Sequence, residues 1–386
     1  MTRGTRAWVL AGILLRFPNM AEFAAAPALN DVLDKLARFE ATDDPVISLY
    51  LNLRADQHGK DHYAPFLRKE MTARGRTWPP DSAARASFDR DVERIGQYLA
   101  DVPPSANGLA IFACAARDLF EAVLLDAPVD RHRLSVSRRP HLAPLELVLD
   151  RHPRHALVLA DSHAARIFVV GPGHRREETV EGEPVRRSSA GGWSQARYQR
   201  HVEKLQAEHA RELVRALDRL VRDERIEHVV LAGDEVNIPL VKNELSKELA
   251  GKVIDEVRLE AHAPEHEILR TAADALQRHD AANDAEIVES AIDAYRAGGL
   301  AAAGPAETLA ALEVGQVDEL YLTPAETFTL DGRDIPADEF VSRARQTSAR
   351  VRFIEDAALL EPVGGVAAAL RFRLDAAASS TKAVTP

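Results

Sequence analysis

Gly191-Gly192-Trp193-Ser194-Gln195-Ala196-Arg197-Tyr198-Gln199-Arg200-His201 is the stretch on which the reading of this chain turns. Two glycines without Cβ atoms let the backbone take φ > 0 and approach a partner closely, and they run directly into a long helical pattern. The first N–H groups of a helix have no intrahelical acceptor, so they favour negative charge developing in front of them. Ser194 stands where its hydroxyl can cap the helix.

Turned at 100° per residue, the helix predicted from Ser194 to about Arg222 places Arg197, Arg200, Lys204, Arg211 and Arg215 in a stripe about 60° wide. Tyr198, Val202, Leu205, Leu213, Leu217 and Leu220 centre on the opposite side. One side is built to pack and the other to meet phosphates, and Arg186 and Arg187 add two cations just before the glycines. From charge alone, the same stripe is equally the solvated face of an ordinary surface helix.

The whole chain has a net charge of −11, which argues against a nucleic-acid partner until its distribution is considered. Residues 131–215 carry sixteen Lys and Arg against ten Asp and Glu, a local +6 that leaves −17 for the remainder. Residues 28–130 carry −5, so this first region is suited to face a protein rather than to grip RNA broadly.

With 386 residues the chain is long enough for two to four domains, and 46% hydrophobic with 28% charged residues is a soluble globular composition. Cys114 is the single cysteine, which excludes an internal disulfide and a cysteine zinc site and fits a cytoplasmic protein. Arg3, Arg6, the apolar run Ala7 to Leu15 and Ala24-Ala25-Ala26 imitate a signal peptide. That run is too short to span a bilayer, and a start at Met20 accounts for it better than export does.

Apolar periodicity then predicts α/β organisation throughout. Strands are expected at Val46 to Leu53, Gly108 to Ala113, Leu119 to Leu125 and Leu145 to Leu149, with helices at Ala64 to Arg74 and Ser82 to Ala100. A second unit is expected to hold strands at Ala156 to Ala160, Arg166 to Val170 and about Glu177 to Val185, with Gly171-Pro172-Gly173 as a hairpin turn. The long helix, the strand His228 to Ala232, a helix from Ile238 to Leu249 and a strand near Val253 to Leu259 follow. Glu265 to Ala297 reads as helical with an aspartate-rich break at His279 to Asp284, and Gly298 to Pro305 reads as a linker or hinge. The last unit alternates helix (Ala306 to Leu312), strand (Glu319 to Thr323), helix (Ala337 to Arg345) and strand (Arg350 to Ile354), the pattern of an α/β/α sandwich. The expected division is a leader 1–27, disordered or not translated, then units 28–145, 146–297 and 298–376, and a disordered tail 377–386.

Gly191 to Gln195 resembles the Gly-Gly-Gln loop of the archaeal and eukaryotic class I peptide-release factors. Val363-Gly364-Gly365-Val366-Ala367-Ala368-Ala369-Leu370-Arg371-Phe372-Arg373-Leu374 resembles the closing Gly-Gly-(Ile/Val)-x-x-x-Leu-Arg-(Tyr/Phe) segment of those factors and of their Pelota relatives, and Leu309 to Leu322 resembles the opening of the same last domain. Over residues 150 to 375 the chain is similar to the bacterial branch of this superfamily. The resemblance implies a ribonuclease-H-like middle domain and a kink-turn-binding ribosomal-protein fold at the end. It implies a ribosomal partner, with the loop entering the peptidyl-transferase centre from the A site and a translational GTPase alongside.

In that family the glutamine orients a water against the peptidyl-tRNA ester while an N–H faces the forming oxyanion. Carried over, Gly191 and Gly192 take the flexible role and Gln195 the water-orienting role. Glutamine has no useful pKa, so such a mechanism rests on positioning and backbone electrostatics rather than on a general base. Trp193 and Ser194 intervene where the release factors have nothing, a variant that resembles the tRNA-hydrolysing relatives of ribosome quality control. Two activities stay open: hydrolysis of peptidyl-tRNA in ribosome rescue, or a Pelota-like factor that occupies the A site in stress or hibernation and cleaves nothing. The first region lacks an Asn-Ile-Lys-Ser type sequence, so stop-codon decoding does not carry over. His152, His155 and His163 lack the spacing of a metal site, and no phosphate-binding loop occurs; neither cofactor nor metal, membrane nor DNA is expected.

Overall fold

The computed structural model describes residues 29–54, 63–102, 106–125, 127, 129–161, 164–171, 174–181, 195–260 and 262–373. The expected leader 1–27, the tail 377–386, and Arg186, Arg187, Gly191, Gly192, Trp193 and Ser194 lie outside the described residues.

Strand β1 (Val46–Asn52) is apolar at almost every position because both of its faces are covered. Ile47, Leu49 and Leu51 meet one helical layer, Val46 and Tyr50 another. β1 lies between β2 (Gly108–Cys114) and β4 (Arg133–Ser137), and β3 (Leu119–Leu125) flanks β2, all antiparallel. Helices α2 (Tyr63–Gly75) and α3 (Ala83–Ala100) cover the first face, and α1 (Leu29–Ala37) lies on the second. The expected strand at Leu145 to Leu149 is instead part of helix α4 (Ala143–Arg151). Its start is completed by a distant group: Asp338 Oδ1 accepts from the N–H of Leu142 at 2.8 Å and of Ala143 at 2.9 Å. A cap supplied from nearly two hundred residues away leaves no local start signal to read.

The middle sheet has the order β7-β6-β5-β8-β9. β5 (His155–Ala160), β6 (Ala164–Gly171) and β7 (His174–Glu181) form an antiparallel meander; β8 (His228–Gly233) and β9 (Val253–Arg258) run parallel to β5. The connection from β7 to β8 passes through α5 (Gln195–Asp223), as a crossover between distant strands must. α5, α6 (Asn237–Glu244) and α7 (Lys247–Ala250) cover one face. The single helix expected over Ile238 to Leu249 is broken at Leu245, and Ser246 caps α7.

The third sheet has the order β10-β15-β11-β14. β10 (Ala301–Ala303) and β11 (Val317–Leu322) each pair antiparallel with β15 (Val366–Leu370), and β14 (Arg350–Phe353) is parallel to β11. The expected linker at Gly298 to Pro305 thus contains an edge strand: alanines pack well in a sheet although they lack strand propensity. α9 (Pro305–Glu313) and α10 (Ala337–Gln346) cover one face, and a hairpin of β12 (Thr327–Leu330) and β13 (Arg333–Pro336) precedes α10. Gly365, φ +83°, lies against β12: a Cβ there would sit 3.0 Å from Thr323 Oγ1 and 3.1 Å from the Phe328 ring.

The first and third sheets share one core. A single buried cluster joins Leu33, Tyr50, Phe112 and Leu145 to Leu312, Phe340 and Val366. Arg345 reaches across to Glu146 at 2.7 and 2.8 Å, Gln346 donates to the carbonyl of Ala37 at 2.6 Å, and Asp150 accepts the N–H of Phe353 at 2.8 Å.

Helix α8 (Glu265–Arg296) ties the middle sheet to this body. Ile268, Ala272 and Ala275 pack on β5 and β8, while Val288 and Ala291 pack beside Tyr321 and Ile354. The expected break at His279 to Asp284 is absent: the helix is continuous there, with Asp284 buried against Arg352, 3.4 Å away. The observed class is α/β, as the sequence predicts, with three larger sheets and the two-stranded hairpin among the described residues.

Candidate functional site

The candidate site is the leading end of α5. The helix runs from Gln195 for 29 residues, about 43 Å at 1.5 Å per residue. His209, Ala210, Leu213, Ala216, Leu217, Leu220 and Val221 are buried, and the last five pack on the apolar face of the middle sheet. The helix ends in a tight turn in which the N–H of Ile226 reaches the carbonyl of Val221 at 2.9 Å, with Arg225 in the left-handed region at φ +52°.

None of residues 200–208 is buried. Val202, Leu205 and Gln206 are half-covered, and Arg200, Lys204 and Glu208 are exposed. The helix therefore has an anchored root and a leading part that stands off the sheet. That division follows from composition, since large aliphatic residues crowd the helix from Leu213 onward and only Val202 and Leu205 precede them.

Gln195 is the first residue of the helix, where the sequence places it. The side chains of Gln195, Arg197 and the residues between them and Gln199 lie outside the described residues, as do Gly191, Gly192 and Ser194. Arg200, Lys204, Arg211 and Arg215 are exposed along one side of the helix. The row is not purely cationic. Lys204 pairs with Glu208 at 3.6 Å and Arg211 with Glu244 of α6 at 3.1 Å. Asp218 falls on the same side and pairs with Arg222. Exposed pairs of this kind contribute about 0–1 kcal/mol each, so an arriving phosphate can displace the carboxylates at small cost.

At the root of the leading part, Gln206 and His209 of α5 face Asp161 and Asn237 across a shallow cleft at the carboxyl ends of β5 and β8. Ligands of α/β sheets commonly sit at such strand ends. Here Gly233, φ +153°, has no room for a side chain: a Cβ on it would stand 2.6 Å from the carbonyl oxygen of Ala160. Asp234 is used structurally, its Oδ1 accepting from the N–H of Val236 at 2.9 Å and of Asn237 at 2.7 Å. Asp161 and Asn237 escaped the sequence reading; for Asp161, a polar residue directly after β5 was the available signal.

The histidines are explained by burial. His155 Nδ1 contacts the carbonyl of Pro153 at 2.9 Å, and desolvation holds His152, His155 and His228 below the usual histidine range. His228 also stacks on His279 with ring centres 5.5 Å apart. Among the described residues no group of three or more His, Cys, Asp or Glu is placed to hold a metal ion. No helix among them is long and apolar enough to cross a membrane.

The model of Bacterial archaeo-eukaryotic release factor family 10 matches residues 140–277, the segment that carries the middle sheet, α5 and the first part of α8. Among solved structures the chain is similar to an archaeal translation termination factor, aRF1, with 19% identity over 89% of this chain and 97% of that one, at a TM-score of 0.25. It is similar to Pelota of Archaeoglobus fulgidus, with 13% identity over 90% and 93% and a TM-score of 0.35. Similarity to Dom34 of S. cerevisiae has 10% identity over 74% and 94% and a TM-score of 0.40. No curated protein matches the chain. The segment that builds the middle sheet and its long helix is thus similar to the bacterial archaeo-eukaryotic release factors of family 10.

Proposed function

We propose that the protein is a ribosome-associated factor of rescue or quality control, cytoplasmic, that presents the beginning of α5 and the glycine loop before it to the A site. The observation that carries this reading is the leading part of α5, which has no buried residue from Arg200 to Glu208 and exposes Arg200 and Lys204 on one side, within the segment the family model matches. Dom34 is described as a translation termination-like factor involved in RNA quality control pathways and interacting with Hbs1, and an archaeal Pelota is described bound to the ribosome with ABCE1. A ribosome and a translational GTPase are the corresponding proposed partners here. The proposed division of labour follows units 28–145, 146–297 and 298–376.

In the hydrolytic form of the proposal, Gln195 orients a water at the peptidyl-tRNA ester. Gly191 and Gly192 let the loop approach, Ser194 caps the helix, and Arg186, Arg187, Arg197, Arg200, Lys204 and Arg211 meet rRNA or tRNA phosphate. No group here acts as a general base; the contribution is positioning and N–H donation to the oxyanion. A second reading, occupancy of the A site without cleavage, is favoured by Trp193 and Ser194 standing between the glycines and Gln195. Gln195→Ala separates the two. Under hydrolysis it binds ribosomes as the parent does but releases no peptide in a peptidyl-tRNA release assay, while equal release by both eliminates the role of Gln195. Absence of ribosome co-sedimentation at low and high salt alike would defeat both readings.

A further inference from the structure

The edge strands differ in how they are protected. β7 reads His-Arg-Arg-Glu-Glu-Thr-Val-Glu, β9 carries Asp255, Glu256 and Arg258, β14 carries Arg350 and Arg352, and β10 is three residues long. Short length and charge are the usual means by which a sheet edge avoids pairing with another chain. β3 has neither. It runs seven residues, Leu-Phe-Glu-Ala-Val-Leu-Leu, pairs with β2 along its whole length from Leu119 with Cys114 to Leu125 with Gly108, and has no strand on its other side among the described residues.

Its two faces are already occupied. Phe120, Ala122 and Leu124 pack with the cluster under α3, while Leu119, Val123 and Leu125 pack with the cluster that holds α1. The single charge, Glu121, is paired to Lys35 of α1. Arg94 lies 4.7 Å above the Phe120 ring and reaches the Leu119 carbonyl at 3.5 Å, which covers only the beginning of the strand. A strand covered above and below, with its charge neutralised, offers a partner only its backbone and the rims of its side chains.

Reversed about Ala122, β3 sets apolar residues against apolar ones except at Glu121. An antiparallel copy opposes Leu119 to Leu125, Phe120 to Leu124 and Ala122 to Ala122, and it sets Glu121 against Val123 rather than against a second glutamate. Small residues meet on the axis, large ones flank them, and no like charges face each other. An isologous two-fold contact requires this kind of self-complementarity.

The geometry points to a homodimer in which β3 of two copies pairs antiparallel about Ala122, joining two four-stranded sheets into one of eight strands. The partner is a second copy of this chain. A contact of one strand per copy is small, so the dimer forms reversibly with concentration.

Light scattering on the full chain tests this between about 1 and about 100 μM, a range suited to a small, transient interface. The expected mass rises from 42.4 kDa towards twice that value. Ala122→Lys, which sets two ammonium groups on the axis, stays at one chain with unchanged circular dichroism. Ala122→Cys forms a disulfide-linked dimer on oxidation, whereas the parent does not, because Cys114 is buried. Hydrogen exchange at residues 119–125 of the parent slows as concentration rises, a measurement that needs no variant. A parent mass of one chain throughout overturns the proposal, as does a lysine variant that dimerises like the parent. Protection of 119–125 that is independent of concentration and lost in a chain beginning at Met20 assigns the edge to the protein's own first residues and equally overturns it.

Discussion

Helices α5 and α8 are nearly equal in length, 29 and 32 residues, yet they do opposite things. α8 buries residues in both halves, on the middle sheet through Ile268 and Ala272 and on the third sheet through Val288 and Ala291, and so acts as a clamp. α5 buries residues from His209 onward and none from Arg200 to Glu208. Length and helical period alone therefore do not define a projecting element. What defines it is where along the helix the large aliphatic residues stop.

Removing packing from the clamp or from the root should have the largest effects. Ile268→Ala and Leu217→Ala each remove a fully buried aliphatic group, and each is expected to lower stability by about 2–4 kcal/mol in denaturant titration. A cost below about 1 kcal/mol at either site would show that the burial described does not hold the helix. The corresponding change in the projecting half, Leu205→Ala, should cost less than about 1 kcal/mol, since that side chain is only half-covered.

The body that α8 clamps should also depend on pH. Burial pushes the Asp150 carboxyl up to about 7 despite its bond from the Phe353 N–H and the nearby Arg352 guanidinium, and it raises Asp284 as well. A carboxyl raised in the folded state is stabilising while protonated: its contribution is present below the ordinary range near 4 and is lost as pH rises through about 7. Asp150→Asn keeps an acceptor for Phe353 and removes that loss, so its gain over the parent should grow by about 1–2 kcal/mol between pH 5 and pH 8. His152, His155 and His228 act in the opposite sense, since their lowered values withdraw stability as pH falls below the ordinary histidine range. Thermal melts of parent and variant at the two pH values check the sign.

Charge removal on the projection should leave stability within about 0.5 kcal/mol, because Arg200 and Lys204 are exposed. Arg200→Ala with Lys204→Ala is nonetheless expected to weaken ribosome association and to reduce its salt dependence by about one to two released ions. An unchanged salt slope would mean that these cations face no phosphate.

Legibility followed the range of the interactions. β1, β2, β3, β5, β6, β8 and α5 were read correctly because each carries its own apolar pattern, strand or helix, within ten to thirty residues. α4 was misread as a strand because Leu145 to Leu149 is a continuous buried run whose helical cap comes from Asp338. The hinge expected at Gly298 to Pro305 is partly strand because three alanines find a partner in β15. The glycine loop and Gln195 were legible as motif residues, whereas Asp161, His209 and Asn237 meet only because two parallel strands end side by side under α5.

By itself the sequence determined the α/β class of the fold, several of its strands and long helices and the two faces of α5, since local periodicity and charge suffice for these. Only the tertiary structure decided that the first and last sheets share one core, with Arg345 on Glu146 and Asp338 on the start of α4, and that α8 spans two sheets without a break. The reason is physical: a buried ion pair or a borrowed helix cap gains its strength from exclusion of water at a contact between distant segments, and a linear pattern carries no record of which segments will meet.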